Sequence, residues 1–217
     1  MIVSSQHDSP ETVQRGPRAR TRRLMLATAI ELMQGGATPS VSDVAEAAEV
    51  SRATAYRYFP SQAALVQAVV DEALGPILKW STNKADSAAR LDSLLETSLP
   101  RIAEFEATFR AALELALQHW GREQAGTLGD ETPLRRGHRV AMLNKALAPL
   151  RDELPKERYA DLVHGLSLVF GIESFVILKD ICGLEDEAAQ AVMIRTAAAL
   201  LRDARRTNGT KAKRARR

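Results

Sequence analysis

The order of hydrophobic and polar positions predicts a polar arm followed by an amphipathic helix. Residues 1–17 are polar and include two prolines and a glycine, which predicts a flexible arm. An apolar stripe with helical spacing comes next, and its members are Met25, Leu26, Ala29, Leu32 and Met33. Two glycines at 35–36 and then Pro39 predict the end of this first helix.

The next two predicted helices are short. Ser40 is a suitable N-cap for the first of them, and Asp43, three residues later, makes an approximate capping box. Its inner positions are Val41, Val44, Ala45 and Ala48. Residues 49–51 break the pattern, and Ser51 can cap the second short helix over residues 52–59.

A fourth helix and a domain boundary follow. Pro60-Ser61 opens a helix over about residues 62–74, and its buried stripe is Leu65, Val66, Val69 and Val70. Gly75-Pro76 indicates a bend or an end, so we place a domain boundary near residue 80. The sequence therefore predicts a helical N-terminal domain over residues 18–80.

The rest of the chain predicts longer helices and no strands. The predicted helices are 88–99, 102–120, 133–151, 156–182 and 186–206, with a loop over 121–133. Because the stretch 162–178 is apolar on most sides, it must be buried on both flanks, and a partner subunit is the expected second cover. We expect an all-α fold, with a larger C-terminal domain over 81–206 and a basic tail over 207–217.

Charge and cysteine content restrict the possible partners. Residues 1–23 carry five Arg against two acidic residues, and residues 202–217 carry eight Lys/Arg against one, so the two ends sum to +10 whereas residues 24–201 sum to −7. Basic ends on an acidic body are typical of proteins that bind nucleic acid, but they are also consistent with solvated tails that bind nothing.

A single cysteine, Cys182, excludes an intrachain disulfide and a cysteine metal cluster. No signal peptide or membrane span is predicted, so we expect a cytoplasmic protein.

The two short helices have the properties of a helix-turn-helix. Ala45 and Ala48 are small enough for a close crossing, and Val50 can fill the turn. Ala55 and Phe59 can face inward at i and i+4. The residues left on the outer side of the second helix are Arg52, Thr54, Tyr56, Arg57 and Tyr58. Arginine can pair with guanine or hold phosphate, and hydroxyl groups reach phosphate oxygens.

Residues 22–74 resemble the DNA-binding domain of the tetracycline-repressor-like (TetR) family of bacterial regulators. The stretches RRLMLATAIELMQGG and SVSDVAEAAEVSRATAYRYFPSQAALVQAVV carry the resemblance. The motif and the resemblance together give these candidate DNA-binding residues: Arg22, Arg23, Ser42, Ser51, Arg52, Thr54, Tyr56, Arg57, Tyr58 and Gln62. The family usually has Gly where this chain has Glu49, which predicts a strained turn. It often has Lys where this chain has Gln62, which predicts a weaker phosphate contact.

The resemblance also implies a helical C-terminal domain that binds a small effector and dimerises through a four-helix bundle. The last two predicted helices would build the bundle, with candidate buried residues Leu168, Phe170, Ile172, Val176, Ile177, Val192, Ile194, Ala198 and Leu201. Candidate effector-binding residues that also suit a place in the core are Phe105, Phe109, Leu113, Leu117, His119, Trp120, Met142, Leu143, His164 and Phe170. Arg139 and Glu173 are two further candidates.

Two charged groups in that domain have more than one interpretation. The cluster Arg135, Arg136, His138 and Arg139 could meet an anionic effector or form a solvated helix face. Glu173 lies in an apolar segment, where a buried carboxylate needs a partner. It could pair across the dimer or hold a polar group of the ligand.

The resemblance implies a homodimeric repressor that binds palindromic double-stranded DNA and is released by an unknown small molecule. We find no phosphate-binding loop, nucleophile elbow or metal spacing in the sequence, and therefore expect no enzyme, cofactor or metal site. A non-specific or architectural DNA binder without effector control is the alternative that the basic ends favour. Glu49 and Gln62 suggest a second alternative, a protein–protein adaptor without DNA binding.

Overall fold

The computed structural model describes residues 16–129 and 137–214, and within these ranges the regular elements are all helical. The helices are α1 (Pro17–Gln34), α2 (Val41–Ala47), α3 (Arg52–Tyr58), α4 (Gln62–Leu78), α5 (Ser87–Glu104), α6 (Glu106–Gln124), α7 (His138–Ala146), α8 (Lys156–Val169), α9 (Ile172–Phe175) and α10 (Asp186–Arg214). A 3-10 turn, Ala148–Leu150, follows α7, and a π-helical segment, Val176–Ile181, continues α9. The predicted all-α class is confirmed. Most of the predicted arm, Arg135 and Arg136 of the basic cluster, and residues 215–217 lie outside the described residues.

The predicted starts of the short helices are confirmed by their caps. The Ser40 N–H donates to Asp43 Oδ2 over 2.8 Å, and the Asp43 N–H donates to Ser40 Oγ over 3.2 Å, which completes the capping box of α2. Ser51 Oγ accepts from the Thr54 N–H at the start of α3, and Ser61 Oγ accepts from the Ala64 N–H at the start of α4. Each bond satisfies a backbone N–H that the helix itself leaves without a partner.

Several predicted helix bounds are wrong. The helix α4 continues past Pro76 to Leu78, because Leu74 and Ile77 are buried and their packing outweighs the missing backbone hydrogen bond. Likewise α5 continues through Pro100 to Glu104. The helix α10 extends past the predicted end at residue 206 to Arg214, in a stretch that contains no proline.

The long apolar segment predicted as one helix over 156–182 is broken at Phe170 and Gly171. Gly171 has φ +147°, a conformation that only glycine adopts readily. The chain therefore turns between α8 and α9, and residues on the two sides of the turn face different neighbours. The predicted helix over 133–151 is shorter: its described part is α7, followed by the 3-10 turn.

A continuous buried core extends from α1 to α10. The helices α1 and α4 both pack against α6, and α5 packs against α4, α7 and α10, while α8 lies along α10. The helix-turn-helix is thereby attached to the larger helical body through α1 and α4. In the described part of the chain no single helix has the length and apolarity to span a membrane, although α8 and the segment Ile172–Ile181 meet that test together as a bent pair.

Candidate nucleic-acid interface

The helices α2 and α3 cross closely because small residues fill their contact. Ala45, Ala48 and Ala55 are buried there, and Phe59 closes the inner side of α3, as the sequence predicted. The tight turn between the helices is held by a 2.8 Å bond from the Val50 N–H to the Ala45 carbonyl. Glu49 has φ +54°, so a side chain does occupy the left-handed turn position where strain was expected.

The outer side of α3 presents two arginines and a tyrosine to solvent. Arg52, Tyr56 and Arg57 are exposed, and Thr54 and Tyr58 are half-buried. Tyr56 and Arg57 point away from the buried Ala55, whereas Tyr58 packs partly against the core. This face combines cationic and hydroxyl groups that suit phosphate oxygens and base edges.

A hydroxyl pair connects this face to α2. The Tyr56 hydroxyl lies 3.4 Å from Ser42 Oγ. At the start of α3, Ser51 Oγ donates to Thr54 Oγ1 over 2.9 Å. Four of the five hydroxyl-bearing candidates are therefore brought together in two neighbouring pairs, one at the start of α3 and one between α2 and α3.

The remaining candidates surround this face. Arg57 lies over the Tyr58 ring, with its guanidinium carbon 5.9 Å from the ring centre. Arg22 on α1 lies over the Phe59 ring at 5.7 Å and is half-buried, while its neighbour Arg23 is exposed. Arg22 thus packs on the helix-turn-helix core instead of extending freely from it.

Gln62 has a structural contact that the sequence did not reveal. Its side-chain amide donates to the carbonyls of Thr38 and Pro39, over 3.0 and 3.2 Å. The first residue of α4 therefore fixes the loop that leads into α2. No periodicity or motif signals such a contact, because it joins residues more than twenty positions apart.

Electrostatics strengthens the start of α2. The Ser40 N–H, the Ser40 hydroxyl and the nearby charge of Arg52 lower the pKa of Asp43 below its ordinary value, the backbone bond contributing most. The carboxylate therefore stays ionised, next to the N-terminus of α2, where negative charge is favourable. It also places one negative charge near the arginine that begins α3.

A cavity of about 100 Å³ lies in the larger body, with residues from both halves of the chain in its walls. The apolar wall residues on α4, α5 and α6 are Val70, Leu74, Ile102, Phe109, Ala112 and Leu113. The other wall residues, at the start of α7 and at the α8–α9 turn, are Gly137, His138, Arg139, Met142, Phe170, Gly171 and Ile172. Five candidate effector residues thus line one cavity: Phe109, Leu113, Arg139, Met142 and Phe170.

The other effector candidates lie elsewhere. Leu117 and Trp120 are 60% and 63% exposed on the outer side of α6, because the helix turns these positions away from the core. His164 is exposed on α8, and Leu143 is fully buried. Phe105 and His119 do not line the cavity either. Arg101 stacks on the Phe105 ring at 4.0 Å, and His119 is buried.

Glu173 pairs within its own chain, with Arg139. Arg139 Nη2 donates to Glu173 Oε2, and Arg139 Nη1 donates to the Ser167 carbonyl over 3.0 Å, where the end of α8 leaves that group free. A Cβ atom at Gly171 would lie 2.5 Å from Arg139 Nη2, so any other residue there would displace the guanidinium from its present position. Beside it, His138 Nε2 lies 3.3 Å from Asp71 Oδ1, which joins α7 to α4.

In the single chain, some of the candidate residues of the dimer bundle are exposed and others are buried. Leu168 is 78% exposed, and Ile177 is 51% exposed. Ile181, which the sequence analysis did not select, is 77% exposed. Phe170, Ile172 and Leu201 are buried inside the chain, whereas Val176, Val192, Ile194 and Ala198 are half-buried. An apolar surface therefore extends from the end of α8 along the π-helical segment.

An ion-pair network holds that segment in place. Arg110 on α6 donates to both carboxylate oxygens of Asp180 over 2.7 Å. Lys179 reaches Asp186 and Glu106, and these two bonds raise its pKa. Because a bidentate arginine–carboxylate pair fixes orientation as well as distance, the segment has a defined position on α6.

Within the described residues, no group of three His, Cys, Asp or Glu side chains is arranged to hold a metal ion.

The comparisons with known proteins agree with this geometry. Residues 25–69 match the family of bacterial regulatory proteins called the tetR family. No curated protein matches the sequence. A solved structure of a TetR transcriptional regulator from Rhodococcus sp. RHA1 has a similar fold: it is 22% identical, covers 86% of this chain and 97% of that one, and gives a TM-score of 0.55.

Proposed function

We propose that the chain is a cytoplasmic repressor of the bacterial TetR family which a small-molecule effector releases from its operator, because residues 25–69 match the model of that family. Residues 18–80 would bind DNA, and residues 81–206 would bind the effector and dimerise. The basic tail over 207–217 would add non-specific attraction to DNA, because it carries five Lys/Arg and no acidic residue.

The outer face of α3 is the observation that carries this proposal. Arg52, Tyr56 and Arg57 are exposed on one side of a helix whose other side is buried against α2. A helix held in this way can enter the major groove with its side chains directed at base edges. Ser42 and the start of α3 at Ser51 then lie where phosphate oxygens pass.

We propose a homodimer because apolar side chains remain exposed at the end of α8 and on the π-helical segment. Leu168, Ile177 and Ile181 project from α8 and the π-helical segment, and exposed apolar patches of this kind are typical of interaction surfaces. A two-fold dimer presents two copies of α3. They would read two half-sites about one helical turn of DNA apart, which predicts a palindromic operator.

The helix α4 offers a direct route from effector to operator. Its first residue, Gln62, holds the loop before α2, and its later residues Val70 and Leu74 line the cavity. A ligand that fills the cavity would press on α4 and so alter the angle at which the helix-turn-helix is held. An effector with different affinities for the two arrangements would shift the balance between them.

Selection of bound DNA from a random library tests the regulator function first. We expect the full-length protein, at physiological salt, to enrich a palindrome that it binds about 10³-fold or more tightly than a scrambled sequence. Equal binding of both sequences would indicate the non-specific binder instead. Binding of neither would indicate the adaptor and contradict the proposal.

A further inference from the structure

The cavity walls are almost entirely apolar, with polar side chains grouped at one place. Leu74, Phe109, Leu113 and Met142 are typical of the walls, whereas His138 and Arg139 lie together at the start of α7. A ligand in this cavity would therefore bury a hydrocarbon or aromatic body and turn a single polar group towards α7.

The charge of Arg139 is already neutralised. Its guanidinium bonds to the Glu173 carboxylate and to the Ser167 carbonyl. His138 has the Asp71 carboxylate beside it. Among the wall residues that the structure describes, His138 and Arg139 each already lie beside a carboxylate, so a charged ligand would leave water without gaining a new counter-ion from them, which is unfavourable. An uncharged ligand avoids that penalty.

Arg139 retains hydrogen-bonding capacity for such a ligand. A guanidinium has five N–H groups, and the two contacts above use two of them. Arginine only donates, so its partner must be an acceptor such as a ketone or ester oxygen. The size of the cavity, about 100 Å³, is below the roughly 150 Å³ of an engineered cavity that holds benzene. Because the cavity is open on one side, a one-ring molecule is the largest that it accommodates, with part of the molecule at the opening.

We propose that this cavity binds an uncharged, mostly apolar molecule of about one ring that carries a hydrogen-bond acceptor, held by Arg139. This assignment rests on the proposed function only in treating that molecule as the effector. Binding itself is measured without DNA, so the two ideas can fail separately. Probes that bind without changing operator affinity would leave the ligand assignment intact and remove the effector role.

Four one-ring probes test the proposal by calorimetry on the full chain: acetophenone, ethylbenzene, benzoate and benzylammonium. We expect acetophenone to bind about 10-fold or more tightly than ethylbenzene, because ethylbenzene has nearly the same shape but lacks the acceptor. We expect benzoate and benzylammonium to bind more weakly than ethylbenzene. Benzoate binding as tightly as acetophenone would overturn the assignment, and so would the failure of all four probes to bind.

Two variants and one control locate the binding. Ala112→Leu fills the cavity and is expected to abolish acetophenone binding, whereas Leu117→Ala, on the exposed side of the same helix, is expected to leave it unchanged. The double variant R139M/E173Q removes both charges, so neither is left buried alone. It should bind acetophenone no more tightly than ethylbenzene while it still binds ethylbenzene. Retention of the full preference for acetophenone would contradict the role of Arg139.

Discussion

The hydroxyl of Thr38 donates a 2.7 Å hydrogen bond to a carboxylate oxygen of Glu114, and this contact joins the helix-turn-helix domain to the cavity helix α6. Thr38 lies in the loop between α1 and α2, and Gln62 of α4 bonds to its carbonyl. Two helices that line the cavity, α4 and α6, therefore both hold this loop. A movement of either helix would therefore be transmitted through this loop to Ser40, the N-cap residue of α2.

The first prediction concerns this contact. We expect Thr38→Val and Glu114→Ala to be non-additive in the free energy of unfolding, with a coupling of about 0.5–1.5 kcal/mol, because each substitution removes the same hydrogen bond. Urea unfolding of the two single variants and the double variant measures the coupling. Thr38→Ser keeps the hydroxyl and serves as the control. Strictly additive effects would mean that the contact contributes nothing to stability.

The second prediction concerns the outer face of α3. We expect Tyr56→Ala or Arg57→Ala to weaken binding to the selected palindrome by about 1–3 kcal/mol, because each would remove one of the proposed DNA contacts. The matched control is Arg151→Ala, which removes an exposed arginine far along the chain from α3. Fluorescence anisotropy gives the affinities, and sedimentation shows whether the variants still dimerise. A variant that binds as tightly as the wild type would remove that residue from the interface.

The third prediction concerns the turn. Glu49 has φ +54°, so Glu49→Gly is expected to raise the free energy of unfolding by roughly 0.5–1 kcal/mol, the usual effect of relieving a left-handed non-glycine position. Glu46→Gly, inside α2, should instead lower it by a similar amount. Thermal or urea unfolding distinguishes the two. If both substitutions destabilise the protein equally, the turn holds no strain.

Local features were predictable from the sequence, because short-range chemistry determines them. The caps at Ser40 and Ser51 and the inward Ala55 and Phe59 each depend on residues within a few positions of one another, whereas the left-handed turn at Glu49 was expected from the family resemblance. Their types and spacing suffice to predict a helix-turn-helix. The same logic explains why the outer residues of α3 could be selected as DNA-binding candidates.

The cavity could be predicted only in part. Periodicity identifies a buried face, but it does not say which distant face meets it or where a gap is left. Val70 was therefore read as part of the buried stripe of the first domain, although it lines the cavity with Arg139. The turn at Gly171 was missed because the surrounding run is apolar throughout. The glycine directly after Phe170 was the available signal for this turn, because glycine adopts the positive φ angle at which the helix is interrupted.

The fourth prediction concerns pH and the cap of α2. Hydrogen bonds from Ser40 lower the pKa of Asp43 below its ordinary value of 3.8. The stabilising contribution of this carboxylate is therefore fully present above its ordinary pKa and is lost as the pH falls through the lower folded value. We expect the difference in unfolding free energy between the wild type and Asp43→Asn to stay constant above about pH 5 and to narrow below about pH 4. A difference that does not change with pH would contradict this origin.

The fifth prediction tests the dimer surface. We expect Leu168→Arg to convert the dimer to monomers, because the new charge would be buried against the partner without a counter-ion. Leu117→Arg is the matched control: it introduces the same charge at a similarly exposed leucine on α6. Sedimentation velocity measures the oligomeric state, and binding to a full palindrome and to one half-site measures the consequence. Because two linked half-sites bind more tightly than one, the monomer should lose its preference for the palindrome. If Leu117→Arg dissociates the dimer and Leu168→Arg does not, the subunits meet at α6 instead of at α8 and the π-helical segment.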